Sequence, residues 1–146
     1  MDKLSSDARS KNMARIRSRD TRPEREVRSL LHRLGYRFRL VQHSLPGTPD
    51  IVLPRYHTAI FVHGCFWHRH TGCQYAYMPK TRAQFWKQKF RANRARDRKV
   101  IEQLKAIGWH VVVVWECELG DPATLSARLN TAIEHNLNTA NVHSVK

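Results

Sequence analysis

Residues 109–115 read Trp-His-Val-Val-Val-Val-Trp. Four consecutive β-branched residues, stiff at χ1, favour a pleated strand. Their near-continuous apolarity predicts a central strand covered on both faces. Such a strand needs helices above and below it, and the neighbouring sequence supplies them. Upstream, Thr81-Arg82-Ala83-Gln84 forms a capping-box pattern that opens a long helix to about Ile107, with Gly108 as its C-cap. Downstream, Asp121-Pro122 starts a last helix with Leu125, Leu129, Ile133 and Leu137 on one face.

The earlier half adds one helix and three strands. Thr21-Arg22-Pro23-Glu24 is a capping box, followed by Val27, Leu30, Leu31 and Leu34 at helical spacing and by Gly35 as a stop. Tyr36, Phe38 and Leu40 alternate with arginines, a half-buried strand pattern. Turn chemistry in Leu45-Pro46-Gly47-Thr48-Pro49 leads into a short strand at Asp50–Leu53, and a further strand covers 58–62. Helix, three strands, helix, strand and helix make an α/β domain: a mixed sheet flanked by helices. At 146 residues a single domain is expected over 1–146, with a basic arm at 1–20 and a flexible tail at 138–146.

No apolar run approaches membrane-spanning length and no signal-peptide pattern follows Met1, so a cytoplasmic protein with no membrane association is expected. There the three cysteines read as thiols or metal ligands rather than as a disulfide framework. The formal net charge is +14, and its distribution says more than its size. Of 26 Lys and Arg, 12 fall in residues 1–40 and 10 in residues 80–105. That clustering suits a polyanion such as nucleic acid.

Functional groups concentrate in His63-Gly64-Cys65-Phe66-Trp67-His68-Arg69-His70-Thr71-Gly72-Cys73, a loop leaving a buried strand. Cys65, His70 and Cys73, with Cys117 at the end of the last strand, give four N/S ligands of the kind a closed tetrahedral zinc site takes. His63 or His68 in the fourth position is the alternative, which would leave Cys117 a core thiol. Phe66 and Trp67 are adjacent on a polar loop. They read either as a wedge between base steps, joined by Trp86, or as an apolar plug with Trp86 in the core. Asp50 at a strand start suits a hard cation such as Mg²⁺ beside a phosphate, although a turn-forming Asp after Pro49 reads equally well from that residue alone. The following strand offers no acidic residue and no lysine, only a backbone carbonyl such as that of Val62, and then histidines. His63 and His68 suit proton transfer. Asp97 falls at a core position of the long helix, so a histidine, an arginine or a wet cleft is expected beside it, unless a local bend turns it to solvent. Glu24 reads as a helix cap.

Together these residues resemble the very-short-patch-repair (Vsr) DNA mismatch endonuclease family. The resemblance runs from Ser10-Lys11-Asn12-Met13 to Trp115-Glu116-Cys117, and takes in Ser44–Asp50, His63–His68, Thr81–Trp86 and Arg96-Asp97-Arg98. It implies a restriction-endonuclease-like fold of the PD-(D/E)xK type with a structural zinc, and Mg²⁺-dependent nicking 5′ to the thymine of a T·G mismatch left by 5-methylcytosine deamination. By motif position it implies Asp50 and the Val62 carbonyl as magnesium ligands, and His68 as general base hydrogen-bonded by Asp97. His63 and Glu24 would support the site, and Cys65, His70, Cys73 and Cys117 would hold zinc. Phe66, Trp67 and Trp86 would form the wedge, with Met13 reaching in from the opposite groove. A monomer acting on bacterial nucleoid DNA is expected, and mismatch-repair proteins are candidate further partners whose recruitment the sequence does not establish. Two departures stand out: Val62 replaces an expected threonine, and the segment between His70 and Cys73 differs in length. A related endonuclease of broader mismatch or site choice, and a non-catalytic zinc-stabilised DNA-binding module, are the competing readings.

Overall fold

The computed structural model describes residues 21–40 and 44–144, with side chains to 136. The basic arm and Met13 lie outside the described residues, as does the side chain of Leu137. Helix α1 spans Arg22–Arg33. Strands β1 (Arg39–Leu40), β2 (Ile51–Leu53) and β3 (Thr58–His63) follow, then α2 (Ala83–Ala106), β4 (His110–Trp115) and α3 (Pro122–Ser144). The sheet order is β1-β2-β3-β4, antiparallel except for the parallel β3–β4 pair that α2 connects.

The sheet alternation sorts the core into two layers. Ile60, Val112 and Val114 join Val27, Leu30 and Leu31 of α1 and Leu125, Leu129 and Ile133 of α3 on one face. Ala59 and Phe61 meet Leu104 of α2 on the other, with Val100, Trp109 and Val111 around them. Both faces of β4 are therefore covered, as its sequence requires. Its expected central position is corrected, however: among the described residues β4 pairs only with β3 and forms an edge. Apolarity reports covered faces and carries no information on lateral neighbours. The edge is blunted by Arg128, whose Nη2 donates to the Val113 carbonyl at 3.1 Å while its guanidinium pairs with Glu118 at 2.8 Å.

Helix boundaries follow local chemistry in part. Thr21 caps α1, its hydroxyl accepting from the Glu24 N–H, and Gly35 takes φ +89 just beyond the end. For α2 the expected Thr81 cap is corrected. Arg82 is the N-cap, in a left-handed conformation and without a side-chain cap hydrogen bond. The helix ends at Ala106, and Ile107, its C-cap, is 56% exposed. The Tyr36–Leu40 alternation yields only a two-residue strand, with Tyr36 buried and its hydroxyl donating to Glu134 and Asn130 on α3. Helix α3 continues to Ser144, past residue 138 where a tail was expected.

Gly47 locks the turn before β2 onto α2. Its φ is +72, and a Cβ there would lie 2.3 Å from Val100 Cγ1. Gly47→Ala is expected to lower stability by about 3 kcal/mol, combining the left-handed penalty with overpacking against a short branched side chain. Urea unfolding checks the magnitude. Adding Val100→Ala will return the steric part and leave the backbone part, so the pair will be non-additive.

Candidate functional site

The parallel register sets His63 opposite Trp115 at the C-terminal ends of β3 and β4. Two residues beyond each stand Cys65 and Cys117, so both strands deliver a thiol to the same place. His70 and Cys73 complete the group, and the four ligand atoms lie within 4.8 Å of one another. Cys117 Sγ is 3.4 Å from His70 Nδ1. The edge of a tetrahedron with zinc–sulfur bonds is about 3.8 Å, so three sulfurs and one nitrogen at these separations fit one metal ion. The His70 ring stacks on Trp115 at 4.3 Å, which fixes its plane. Burial pushes the Cys65 thiol up to about 12 and the Cys117 thiol up, whereas the backbone N–H of Tyr75 draws Cys73 down. A thiolate at Cys65 therefore needs a cation beside it.

On the same side of the sheet as Phe61, a cleft of about 800 Å³ opens between the end of β3, the N-terminus of α1 and the middle of α2. Its wall carries Glu24, Asp50, Val62, His63, His68 and Asp97. Asp50 Oδ2 accepts the Val62 N–H at 2.8 Å, which orients the carboxylate. His68 Nδ1 meets Asp97 Oδ2 at 2.7 Å, the partner that a carboxylate on the buried stripe of α2 demanded. Asn93, the other polar residue of that stripe, donates to the Trp67 carbonyl at 3.2 Å. His63 is buried and stacks on His68, with centroids 3.8 Å apart and planes within 6°. Burial, helped by the neighbouring His68 ring, pushes the His63 imidazole down to about 4, so it is neutral at neutral pH.

The ligand atoms of His63, His68 and Asp97 also lie within 4.8 Å of one another. Lone pairs of imidazole lie in the ring plane, and two nearly parallel planes 3.8 Å apart do not meet at a shared ion. The hydrogen-bonded His68–Asp97 pair with His63 stacked on it is a geometry that can pass protons. The ligand atoms that converge at the cysteine cluster include that of Cys117 and neither that of His63 nor that of His68. The carboxylate oxygens of the cleft, those of Asp50 and Glu24, suit a hard cation instead.

Phe66, Trp67 and Trp86 meet on the flank of the cleft. Phe66 lies 5.2 Å from Trp67, 5.5 Å from Trp86 and 5.2 Å from buried Phe90, all edge to face. All three are half-buried. Adjacent Phe66 and Trp67 share one cluster because a turn, unlike a strand, lets successive side chains face the same way. Tyr77, 63% exposed and 5.1 Å from Phe66, extends the cluster outward. Sequence reasoning missed Tyr77 and also Arg69, whose guanidinium binds loop carbonyls. In a chain this basic, an arginine reads as one more phosphate contact.

Comparison with known proteins places these groups in context. The family model described as "DNA mismatch endonuclease Vsr" matches residues 1–74. The type II nicking enzyme V.XorIIP of Xanthomonas oryzae pv. oryzae is 53% identical over 133 residues, 91% of this chain and 97% of that protein. The DNA mismatch endonuclease Vsr of Escherichia coli is 49% identical over 111 residues, 76% and 70% of the two chains. The type II nicking enzyme V.NmeAIP of Neisseria meningitidis is 42% identical over 132 residues, 90% and 94% of the two.

Proposed function

This chain belongs to the Vsr family of DNA mismatch endonucleases, and from that membership we propose that it nicks one strand of duplex DNA 5′ to the thymine of a T·G mismatch, the lesion left when 5-methylcytosine deaminates. The observation that carries the proposal is the meeting in one cleft of Asp50, Glu24, the His63–His68 stack and Asp97, with an aromatic cluster at its edge. A restriction-endonuclease-like reading fits this layout: a carboxylate at the start of β2, a mixed sheet, and histidines where an acidic residue and lysine are usual.

In this reading Asp50 and the Val62 carbonyl hold Mg²⁺, which when bound stabilises charge on the phosphate and leaving oxygen. The Val62 carbonyl is a main-chain group, so valine in place of threonine leaves that ligand unchanged. His68 takes the proton of the attacking water at Nε2, because Nδ1 is committed to Asp97. Asp97 holds the ring in that tautomer and stabilises the charge the ring acquires. His63, neutral and stacked behind it, fixes the ring face and turns its own N–H toward the phosphate. Glu24 supports the site from α1. Zn²⁺ suits three thiolates and one imidazole, and it would hold the loop in shape. Phe66, Trp67 and Trp86 unstack the mismatch, with Met13 of the arm acting from the other groove. The substrate is duplex DNA of the bacterial nucleoid, the working unit a monomer, and mismatch-repair proteins are further partners.

Two of these three relatives are named type II nicking enzymes rather than mismatch endonucleases, which leaves a second reading, an endonuclease of broader mismatch or site choice, to be tested. Duplexes carrying every mismatch in varied flanks, incubated with Mg²⁺, separate the two. The expected outcome is nicking of T·G alone, 5′ to the thymine. Nicking of several mismatches establishes the broader enzyme. Folded, zinc-loaded protein that nicks none of them under any divalent cation overturns both.

A further inference from the structure

Between His63 and Ala83 the chain has neither strand nor regular helix. Its first half is gathered by the Cys65–His70–Cys73–Cys117 cluster. Its second half, which carries Tyr77 and returns to α2, has no metal ligand after Cys73. Arg69 does the corresponding work there. Its Nη1 donates to the Phe66 carbonyl at 3.3 Å and the Tyr77 carbonyl at 3.0 Å, and its Nη2 to the Ala76 carbonyl at 2.8 Å. The guanidinium lies over the ring of buried Phe90, 4.0 Å from its centroid. Both terminal nitrogens are thus committed to main-chain oxygens, which separates this arginine from a phosphate-binding one. Its backbone is left-handed at φ +56, a conformation that costs a non-glycine residue free energy and that clusters at working sites.

Arg69 stands between His68, which pairs with Asp97 in the cleft, and His70, which belongs to the metal cluster. One side chain therefore joins Phe66, the irregular segment carrying Tyr77, and α2 through Phe90. When Phe66 leaves its edge contacts to enter DNA, the bonds of Arg69 to the Phe66, Ala76 and Tyr77 carbonyls do not depend on the Phe66 rotamer. The planar guanidinium suits this role where an ammonium does not, because two or more carbonyls and an aromatic face must be met at once.

We propose that Arg69 is a positioning residue for the aromatic wedge, holding the main chain of Phe66 and of the 76–77 strap on Phe90 so that the wedge meets DNA preformed. This rests on the mismatch-nicking reading above. The test compares Arg69→Lys and Arg69→Gln with the unsubstituted protein on two substrates, a T·G duplex with 2-aminopurine beside the mismatch and the same site inside a short unpaired bubble. On the duplex, both the fluorescence rise that reports unstacking and the nicking rate are expected to fall about tenfold, the scale of a slight misplacement of a working group. On the bubble, which needs no opening, nicking is expected within about twofold of the unsubstituted rate. Melting temperature and metal content are expected to stay unchanged in at least the lysine variant. Equal losses on duplex and bubble, no loss on either, or loss of metal and stability in both variants would overturn the proposal. The unsubstituted protein on the T·G duplex tests the mismatch reading by itself, so the two failures are distinguishable.

Discussion

Asp50→Ala will abolish nicking of a T·G duplex and leave binding of that duplex intact or tighter. Asp50 is held in place by the Val62 N–H on one oxygen, at 2.8 Å, while its residue lines the cleft. A cation beside the phosphate contributes several kcal/mol of charge stabilisation in the transition state, and each 1.4 kcal/mol is tenfold in rate, so a loss of at least about 10³-fold is expected. The neutral imidazole of His63 cannot replace a carboxylate as an oxygen donor. Binding behaves differently. With +14 formal charges in the chain, affinity for the phosphate backbone comes from the lysines and arginines, and removing one negative charge from the cleft favours a polyanion. Single-turnover nicking with Mg²⁺ and gel-shift titration of the same duplex measure the two quantities separately. Asp50→Asn keeps the shape and the acceptor for Val62 and is expected to lose nearly as much. Retention of nicking within tenfold in both variants would remove Asp50 from the metal site and leave it as the turn residue that its place after Pro49 also permits.

Several parts of this arrangement are legible in the sequence because they are set by local chemistry or by a period. Thr21 caps its helix, Gly35 ends it, and Asp97, a carboxylate at a core position of α2, has one of the partners expected for it, a histidine, and lines the cleft. The cysteine cluster is legible for a related reason: thiols two residues beyond the paired strand ends His63 and Trp115 fall together once those strands are parallel neighbours. Other parts depend on tertiary choices that no local pattern records. A valine run reports that both faces of β4 are covered and leaves its position at the sheet edge undetermined. The left-handed Arg69 and Arg82 reverse ordinary preferences, because the loop between them must meet the cluster, the aromatic group and α2 together. Arg69 was invisible for a further reason. Its partners are main-chain carbonyls, which carry no sequence signature at all.

Withdrawing the metal from Cys65, His70, Cys73 and Cys117, by Cys117→Ser or by chelation, will melt residues 64–82 while the helices and sheet remain. The two apolar layers explain the division. Val27, Leu31, Ile60, Val114, Leu129 and Ile133 pack together on one face and Ala59, Phe61 and Leu104 on the other, with the loop contributing to neither. The loop instead rests on the cluster, on Arg69 and on the aromatic group. Without a cation, burial disfavours the thiolate at Cys65 and Cys117, so the ligands a metal needs are not formed and the four groups lose their reason to converge. His68 then loses its fixed place opposite Asp97, because its neighbour His70 is released. The expected results are about one zinc per chain before treatment and near none after it. Far-ultraviolet circular dichroism will be retained, the near-ultraviolet signal of Trp67, Trp86 and Trp115 reduced, and amide exchange in 64–82 fast. Nicking will vanish together with the loop, whereas salt-dependent binding to duplex DNA through α2 will persist in weakened form. The decisive measurement is exchange in 64–82 with the zinc content determined in the same sample. A zinc-free chain whose loop stays protected would show that Arg69 and the aromatic group alone suffice to hold it.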